Sequence, residues 1–417
     1  MAHAGEFRRE TLRGAEGFFR AGQDAAGRWW LLDPAGRPFF CTAAHGVQST
    51  PDTGGSTDPA MDPAARLRRW GFNAVGAGGD GAGRDDGLAF MAVVDFRRAG
   101  AVIVAPGARL PDVFDPDWPR LAAARAAEAC PSLAAARDLL GWVTDDSPGW
   151  AQFTLAGRPS LLQVCLSLEP AFAAYHAAWE FALALHGGRL ETLARAWGVP
   201  LANKEVVRER TRAEQGLGTR GYLRDDARWS REFARRYFTS TAAAIRAVDP
   251  NHLVFGCRFA GPVGAGVLAE CVYPAVDVTL CDWTELPVHA TGAPRGGAGP
   301  AAGPVLAGNV CWADEAIRAV PHSAGPGPAA MGGVRRLTTV ERMLRRGRTA
   351  LERMARHPAV AGYVWRQWLD EPGEQPPFAR GLVHRNGVEA REHAELLADF
   401  NARADALRCA ALDPIFL

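Results

Sequence analysis

Several features that assign a chain to a special class are missing from this sequence of 417 residues. No apolar run approaches the roughly 20 residues that a transmembrane helix needs, so a membrane-spanning class is excluded. Neither sign of charge dominates, because 47 basic and 46 acidic residues leave a net charge of +1. The charge balance therefore gives no reason to expect a nucleic-acid or membrane partner. With 48% hydrophobic and 22% charged residues, the composition is typical of a globular protein.

Other absences concern chemistry. Lys204 is the single lysine, so lysine chemistry is excluded elsewhere in the chain. The eight cysteines are dispersed without a Cys-x-x-Cys pair, which predicts buried reduced thiols. The histidines lack the close spacing of a metal motif, and we expect neither a metal nor a cofactor. The N-terminus has no uninterrupted apolar stretch of a secretory signal, which predicts a cytoplasmic location.

Short apolar runs of strand length alternate with amphipathic helical stretches, a pattern typical of a parallel sheet wrapped by helices. Eight such runs occur, the number of strands in a closed (β/α)₈ barrel. They cover residues 38–44, 72–75, 88–96, 139–144, 253–257, 276–281, 305–311 and 360–365.

The segments around these runs suggest a domain organisation. Residues 1–37 form an N-terminal segment with a β-hairpin whose turn contains Asp33, Pro34 and Gly36. Residues 38–408 form the barrel, and 409–417 form a C-terminal tail. The long connection after the fourth strand predicts a helical insertion at about 148–225, before a helix that starts at Asp225 or Asp226 and ends at Asp249.

Two segments flanking the seventh strand, 291–303 and 323–333, are rich in glycine, alanine and proline. They are either mobile loops over the open face of the barrel or inert surface linkers.

Five phrases resemble the agarase-like branch of the retaining (β/α)₈ glycoside hydrolases, and the resemblance runs from about residue 27 to 408. The phrases are WWLLDPAGRPFF (29–40), WGFN (70–73), LGWVTD (140–145), DPNHLVFGCRF (249–259) and GYVWRQWLDEP (362–372). The resemblance implies a TIM barrel that acts on a glycoside.

Both catalytic glutamates of that family are substituted here. The family's acid/base follows strand four in a phrase similar to GYFxDNExxW, where this chain has GWVTDDSPGW (141–150) and Ser147 at the glutamate position. The family's nucleophile ends strand seven, where this chain has PVLAGNVCW (304–312) and Asn309. Retaining hydrolysis needs two carboxyl groups about 5–5.5 Å apart. We therefore predict that ordinary retaining glycosidase activity is absent.

Other polar residues follow the strands and would meet at the barrel mouth. Asp145, Asp146 and Asp282 are candidates for a relocated acid/base pair. Strand alternation would put Asp145 on the same face as Ser147, and Asp146 on the other, unless the chain turns there. The candidates for substrate binding are His45, Arg258, Glu285, Asn309, Trp365 and Gln367.

These residues leave three functions open. The first is an enzyme that acts on a glycoside or sugar-like small molecule by atypical acid/base chemistry. The second is a non-hydrolytic enzyme of specialised metabolism that catalyses an elimination, isomerisation or cyclisation. The third is a non-catalytic sugar-binding pseudoenzyme. All three predict a small-molecule or carbohydrate ligand and leave the oligomeric state open.

Overall fold

The computed structural model describes residues 7–49, 62–82, 87–201, 205–286, 303–312, 339–374 and 379–410. Eight parallel strands form one sheet, in which the first strand pairs with the eighth. We number these barrel strands 1 to 8: Cys41–Ala44, Ala74–Val75, Ala89–Val94, Leu139–Asp146, Leu253–Arg258, Thr279–Asp282, Val305–Val310 and Val360–Trp365. All eight predicted strands are confirmed.

Barrel strands 5 and 6 are joined through Asp277, which lies just before strand 6. Its backbone N–H donates to the carbonyl of Val254 at 2.9 Å, and its Oδ2 accepts a hydrogen bond from the N–H of Val254 at 2.9 Å. These contacts complete a (β/α)₈ barrel, as predicted.

Two glycines allow neighbouring strands to approach closely. A Cβ atom at Gly141 would lie 2.3 Å from the carbonyl oxygen of Leu253, and one at Gly362 would lie 2.3 Å from that of Cys41. No side chain fits in either place, so the glycines that open the phrases GWVTDD and GYVWRQ are required by the barrel itself.

Helices cover the outside of the barrel. Those in the described residues are Pro63–Arg69, Trp118–Ala129, Leu161–Leu166, Ala173–Leu185, Leu190–Trp197, Glu205–Arg212, Arg220–Val248, Ala265–Val267, Thr339–Arg356, Arg391–Asn401 and Ala404–Cys409. Four of them lie between barrel strand 4 and the long helix Arg220–Val248, which confirms the helical insertion.

The start of the long helix was predicted wrongly. It begins at Arg220, where the Thr219 side chain accepts a hydrogen bond from the N–H of Tyr222. Asp225 lies within the helix, and its carboxylate contacts His186 at 2.7 Å. Aspartate is a preferred residue at the start of a helix, so the sequence alone does not distinguish a capping aspartate from one that makes a tertiary contact.

The predicted N-terminal hairpin is present as strands Trp29–Leu32 and Pro38–Phe39. A further strand, Arg20–Gln23, pairs with Trp29–Leu32 and extends the hairpin to three strands. Two small sheets were also not predicted: the antiparallel pair Val102–Ala105 and Ala108–Pro111, and the parallel pair Gln367–Leu369 and Gly381–Val383. The segments 291–303 and 323–333 lie outside the described residues, apart from Gly303.

Several residues of the family-like phrases have structural roles. The Asn73 side chain accepts a hydrogen bond from the N–H of Thr42 at 2.8 Å, which links barrel strands 1 and 2. The Trp142 indole N–H lies 2.8 Å from the carboxylate of Asp249, which also bonds His252 at 2.7 Å. These contacts connect barrel strand 4 to the segment leading into strand 5.

Candidate functional site at the barrel mouth

Barrel strand 4 turns sharply at its carboxyl end. Asp145 and Ser147 both have positive φ angles, 61° and 49°, and the pairing with barrel strand 5 shifts its register between Gly256 and Arg258. The simple alternation of side chains therefore breaks down here. Asp146 turns into the mouth, and Asp145 turns outward towards the helix Arg220–Val248.

Asp146 is held by two basic side chains. Arg258 Nε donates to Asp146 Oδ1 at 2.5 Å, and His45 Nε2 lies 3.5 Å from Asp146 Oδ2. Burial by itself would raise the pKa of Asp146, but the positive charge of Arg258 holds this pKa below its ordinary value, and His45 adds to this effect only when its imidazole is protonated. Asp146 is therefore an ionised carboxylate at neutral pH.

Asn309 stands at the end of barrel strand 7 with a φ angle of 53°, and both its amide oxygen and its amide nitrogen make hydrogen bonds. Its Oδ1 accepts a hydrogen bond from Arg258 Nη1. Its Nδ2 donates to the carbonyl of Phe259 and, at 3.1 Å, to Asp282 Oδ2. Both ends of the amide are therefore hydrogen-bonded within the protein.

Asp282 completes a chain of contacts across the mouth. Its other oxygen, Oδ1, accepts hydrogen bonds from the N–H of Thr284 at 2.9 Å and from the hydroxyl of Thr284 at 2.6 Å. The four side chains Asp146, Arg258, Asn309 and Asp282 thus form one continuous network, which we call the mouth network. It links the carboxyl ends of barrel strands 4, 5, 7 and 6.

Glu285 lies beside the mouth network, one short turn after barrel strand 6. Its Oε1 accepts hydrogen bonds from the backbone N–H groups of Val263 and Gly264, both at 3.0 Å. Its Oε2 is buried and has no hydrogen-bond partner in the described part of the chain. Burial, with the nearby charge of Asp282, raises the pKa of Glu285 above its ordinary value despite the two backbone hydrogen bonds.

Several neutral side chains near the ends of barrel strands carry buried polar atoms without a hydrogen-bond partner in the described residues. Among these atoms are His45 Nδ1, Ser147 Oγ and Gln367 Nε2. Burial, followed by the charge of Arg258, lowers the pKa of His45 to about 4, so this imidazole is neutral at pH 7. Leaving a buried polar group unpaired costs about 1–3 kcal/mol.

The Asp145 carboxylate does not reach the mouth. Its Oδ2 lies 2.6 Å from the Tyr237 hydroxyl, and its Oδ1 accepts a hydrogen bond from the N–H of Arg97 at 3.3 Å. Burial, with a contribution from Asp95, raises the pKa of Asp145 to about 7 against the hydrogen bond from Tyr237. Asp145 lies between the barrel and the long helix, so direct contact with a mouth ligand is excluded in this structure.

Trp365, a candidate for substrate binding as an aromatic platform on which a sugar ring stacks, does not have the exposure that this role needs. It is fully buried, its indole N–H donates to the carbonyl of Arg380 at 3.0 Å, and its ring packs against Trp312 with centroids 4.6 Å apart. A stacking platform must expose one ring face, and this ring has none exposed. The neighbouring Val364 belongs to the barrel interior, so alternation along the strand directs Trp365 outward.

The sequence interpretation missed the two partners of Asp145. Neither Tyr237 nor Arg97 was among the candidate site residues. A tyrosine among buried aromatic residues is itself a signal, because a buried phenol usually has a hydrogen-bond partner.

The described ranges also bear on metal binding and membrane insertion. No group of three or more histidine, cysteine, aspartate or glutamate side chains there has an arrangement that could hold a metal ion. No described helix combines the length and apolar character needed to cross a membrane.

Comparison with known proteins shows similarity in fold. PfGH50B superposes with a TM-score of 0.63 at 16% identity over 95% of this chain and 68% of its own. An exo-beta-agarase superposes with a TM-score of 0.62 at 17% identity over 96% of this chain and 67% of its own. BpGH50 superposes with a TM-score of 0.61 at 15% identity over 97% of this chain and 86% of its own. No family model matches the sequence, and no curated protein matches it. The chain therefore has an agarase-like glycoside hydrolase fold.

Proposed function

We propose that the barrel mouth binds a glycoside or another sugar-like molecule and does not perform retaining glycoside hydrolysis. The observation that carries this proposal is the mouth network, in which Arg258 and Asn309 connect two carboxylates that are already hydrogen-bonded. The agarase-like fold supports carbohydrate as the ligand class, since an exo-beta-agarase shares it.

The proposed absence of retaining hydrolysis follows from the chemistry of that reaction. One carboxylate must attack the anomeric carbon while a second carboxyl group transfers the proton. Asn309 is not a carboxylate, and its amide is held by hydrogen bonds to Arg258, Phe259 and Asp282. Ser147 carries no acidic group, and Asp146 is paired with Arg258. No pair of side chains in the mouth network has the freedom that this mechanism requires.

The proposed binding of a sugar is supported by the polar atoms near the mouth that have no hydrogen-bond partner in the described residues. His45 Nδ1 is an acceptor when Nε2 carries the proton, Ser147 Oγ both donates and accepts, and Gln367 Nε2 donates. A sugar presents several hydroxyl groups that each donate and accept hydrogen bonds. Neutral partners suit this ligand, because they bind hydroxyl groups without favouring an anion or a cation.

The first experiment is a binding screen of the full chain. Saturation-transfer NMR against pooled monosaccharides, oligosaccharides and glycosides identifies a ligand, and calorimetry then gives its Kd. We expect Ser147→Ala to weaken binding by about three- to tenfold, the effect of one hydrogen bond. Ser240→Ala, a serine on the long helix that bonds only the carbonyl of Arg236, is the matched control. Failure of every carbohydrate to bind, or hydrolysis with retention, would overturn the proposal.

A second candidate function is acid/base catalysis without a covalent intermediate. It is favoured by Glu285, whose raised pKa and unpartnered Oε2 suit a proton donor. Asp146, held ionised by Arg258, is the corresponding base. Mass spectrometry of the ligand after incubation separates the candidates. Turnover that is lost in Glu285→Gln and kept in the exposed control Glu209→Gln supports this enzyme, whereas binding without turnover contradicts it.

A further inference from the structure

A pocket of about 620 Å³ lies between the helical insertion and the loop that follows barrel strand 5. Its walls come from residues 150–161, 216–231 and 263–267. None of the mouth network residues lines it. The volume is within the roughly 300–1,000 Å³ that is typical of small-molecule pockets.

The pocket wall is predominantly apolar and partly open. Leu155 and Leu223 line it and are 44% and 51% exposed, and they are among the few large hydrophobic side chains that the described chain leaves exposed. Val263 and Val267 line the opposite wall from the loop after barrel strand 5. Burying such solvent-exposed leucine side chains under an apolar ligand would be favourable.

The same loop connects the pocket to the mouth. The Val263 side chain lines the pocket, while the backbone N–H groups of Val263 and Gly264 hold Glu285 next to Asp282. Val263 and Gly264 therefore border both the apolar pocket and the polar mouth. A ligand with a polar end and an apolar end matches this arrangement.

We propose that the pocket binds the apolar aglycone, an aryl or alkyl group, of a glycoside whose sugar occupies the barrel mouth. This inference rests on the proposed function, since it identifies the class of glycoside that the mouth takes. The sugar supplies the hydroxyl groups for Ser147 and His45, and the aglycone covers Leu155 and Leu223.

The test compares matched ligands that differ only in the aglycone. Calorimetry measures the Kd values of methyl and 2-naphthyl β-glycosides of galactose, glucose and xylose, and of 2-naphthol alone. We expect at least one naphthyl glycoside to bind about tenfold or more tightly than its methyl counterpart, because it buries the aromatic surface. Leu223→Glu should remove this advantage and leave the Kd of the methyl glycoside unchanged.

The control variant is Leu190→Glu. Leu190 is 41% exposed, begins a helix of the same insertion and does not line the pocket. Circular dichroism establishes that both variants fold, and Leu155→Glu provides a second substitution in the pocket wall. Equal Kd values for every methyl and naphthyl pair, or equal effects of Leu223→Glu and Leu190→Glu, would overturn the pocket assignment.

The two proposals fail in different ways. If methyl glycosides bind and the naphthyl group adds nothing, the aglycone pocket is wrong and the sugar-binding mouth stands. If 2-naphthol binds in a Leu223-dependent manner and no sugar binds, the apolar pocket stands, but the proposed function and the assignment of an aglycone are both wrong.

Discussion

Asp145 and Asp146 are consecutive residues whose carboxylates lie on opposite sides of barrel strand 4. Asp145 contacts Tyr237 on the long helix, whereas Asp146 pairs with Arg258 inside the mouth. The positive φ angles of Asp145 and Ser147 produce this separation. Two chemically identical side chains therefore have opposite electrostatic environments, and the pKa of Asp145 is raised while that of Asp146 is lowered.

We expect Arg258→Met to raise the pKa of Asp146, because burial then acts without the compensating positive charge. The variant should lose about 1–3 kcal/mol of stability, since Asn309 Oδ1 also loses its donor. NMR titration of Asp146 and chemical denaturation measure the two effects. Arg235→Met, which removes a surface ion pair with Glu232, is the control. An unchanged titration of Asp146 would contradict the assigned pairing.

Restoring a glutamate at the family position should not restore hydrolysis. In Asn309→Glu a carboxylate replaces the amide that donates to Asp282 and to the carbonyl of Phe259. Like charges then face each other, and we expect a loss of about 2–4 kcal/mol of stability. The double variant with Ser147→Glu should show no release of nitrophenol from 4-nitrophenyl glycosides. Hydrolysis with retention by the double variant would mean that the catalytic frame is intact.

Stability should depend on pH through Asp145. Its pKa of about 7 in the folded chain exceeds the ordinary value of an aspartate, so the folded state binds a proton that the unfolded state releases. This contribution is complete below about pH 4 and is lost as the pH rises towards 7, by about 4 kcal/mol.

Asp145→Asn removes this titration. The stability of the variant relative to the wild type should therefore rise between pH 4 and pH 7, as measured by urea denaturation at several pH values. Glu180→Gln, at an exposed helical position, should show no such trend. A constant difference between Asp145→Asn and the wild type would show that folding does not raise the pKa of Asp145.

Arg408 is expected to be the most sensitive arginine for folding. It is fully buried and donates to the carbonyls of Ala355 and Pro358 at 3.0 and 2.9 Å and to those of Trp29 and His357. Arg408→Met leaves four carbonyl groups without this donor, and we expect a loss of about 3–5 kcal/mol. Arg403→Met, at a more exposed position, should cost less than about 1 kcal/mol. Thermal denaturation compares the two.

The fold was predictable because its signals are local. Each barrel strand is a short apolar run, and each long connection has helical periodicity, so eight strands and the helical insertion are evident without any tertiary information. The start of the helix Arg220–Val248 was not predictable in this way. Asp225 has the residue type of a cap, but its carboxylate bonds His186 and Trp197 across the insertion.

The candidate site was predictable only as a set of residues. The sequence places His45, Asp146, Arg258, Asp282 and Asn309 at or just after the ends of barrel strands, which is sufficient to bring them to one end of the barrel. It does not determine which side chains face inward where the strand is irregular. The sequence also did not determine that Trp365 points away from the mouth. Its direction follows from Val364, which faces the barrel interior, because neighbouring side chains of a strand point to opposite faces.

The sequence by itself determined the barrel, the absence of glutamate at positions 147 and 309, and the residues available at the mouth, since all three depend on residue type and order. The tertiary structure decided their roles. It turned Asp146 inward and Asp145 outward, joined Asp146 to Asp282 through Arg258 and Asn309, and opened an apolar pocket behind Val263. The physical reason is that pKa values, hydrogen-bond satisfaction and cavities depend on which distant segments pack together, and a linear pattern does not specify those contacts.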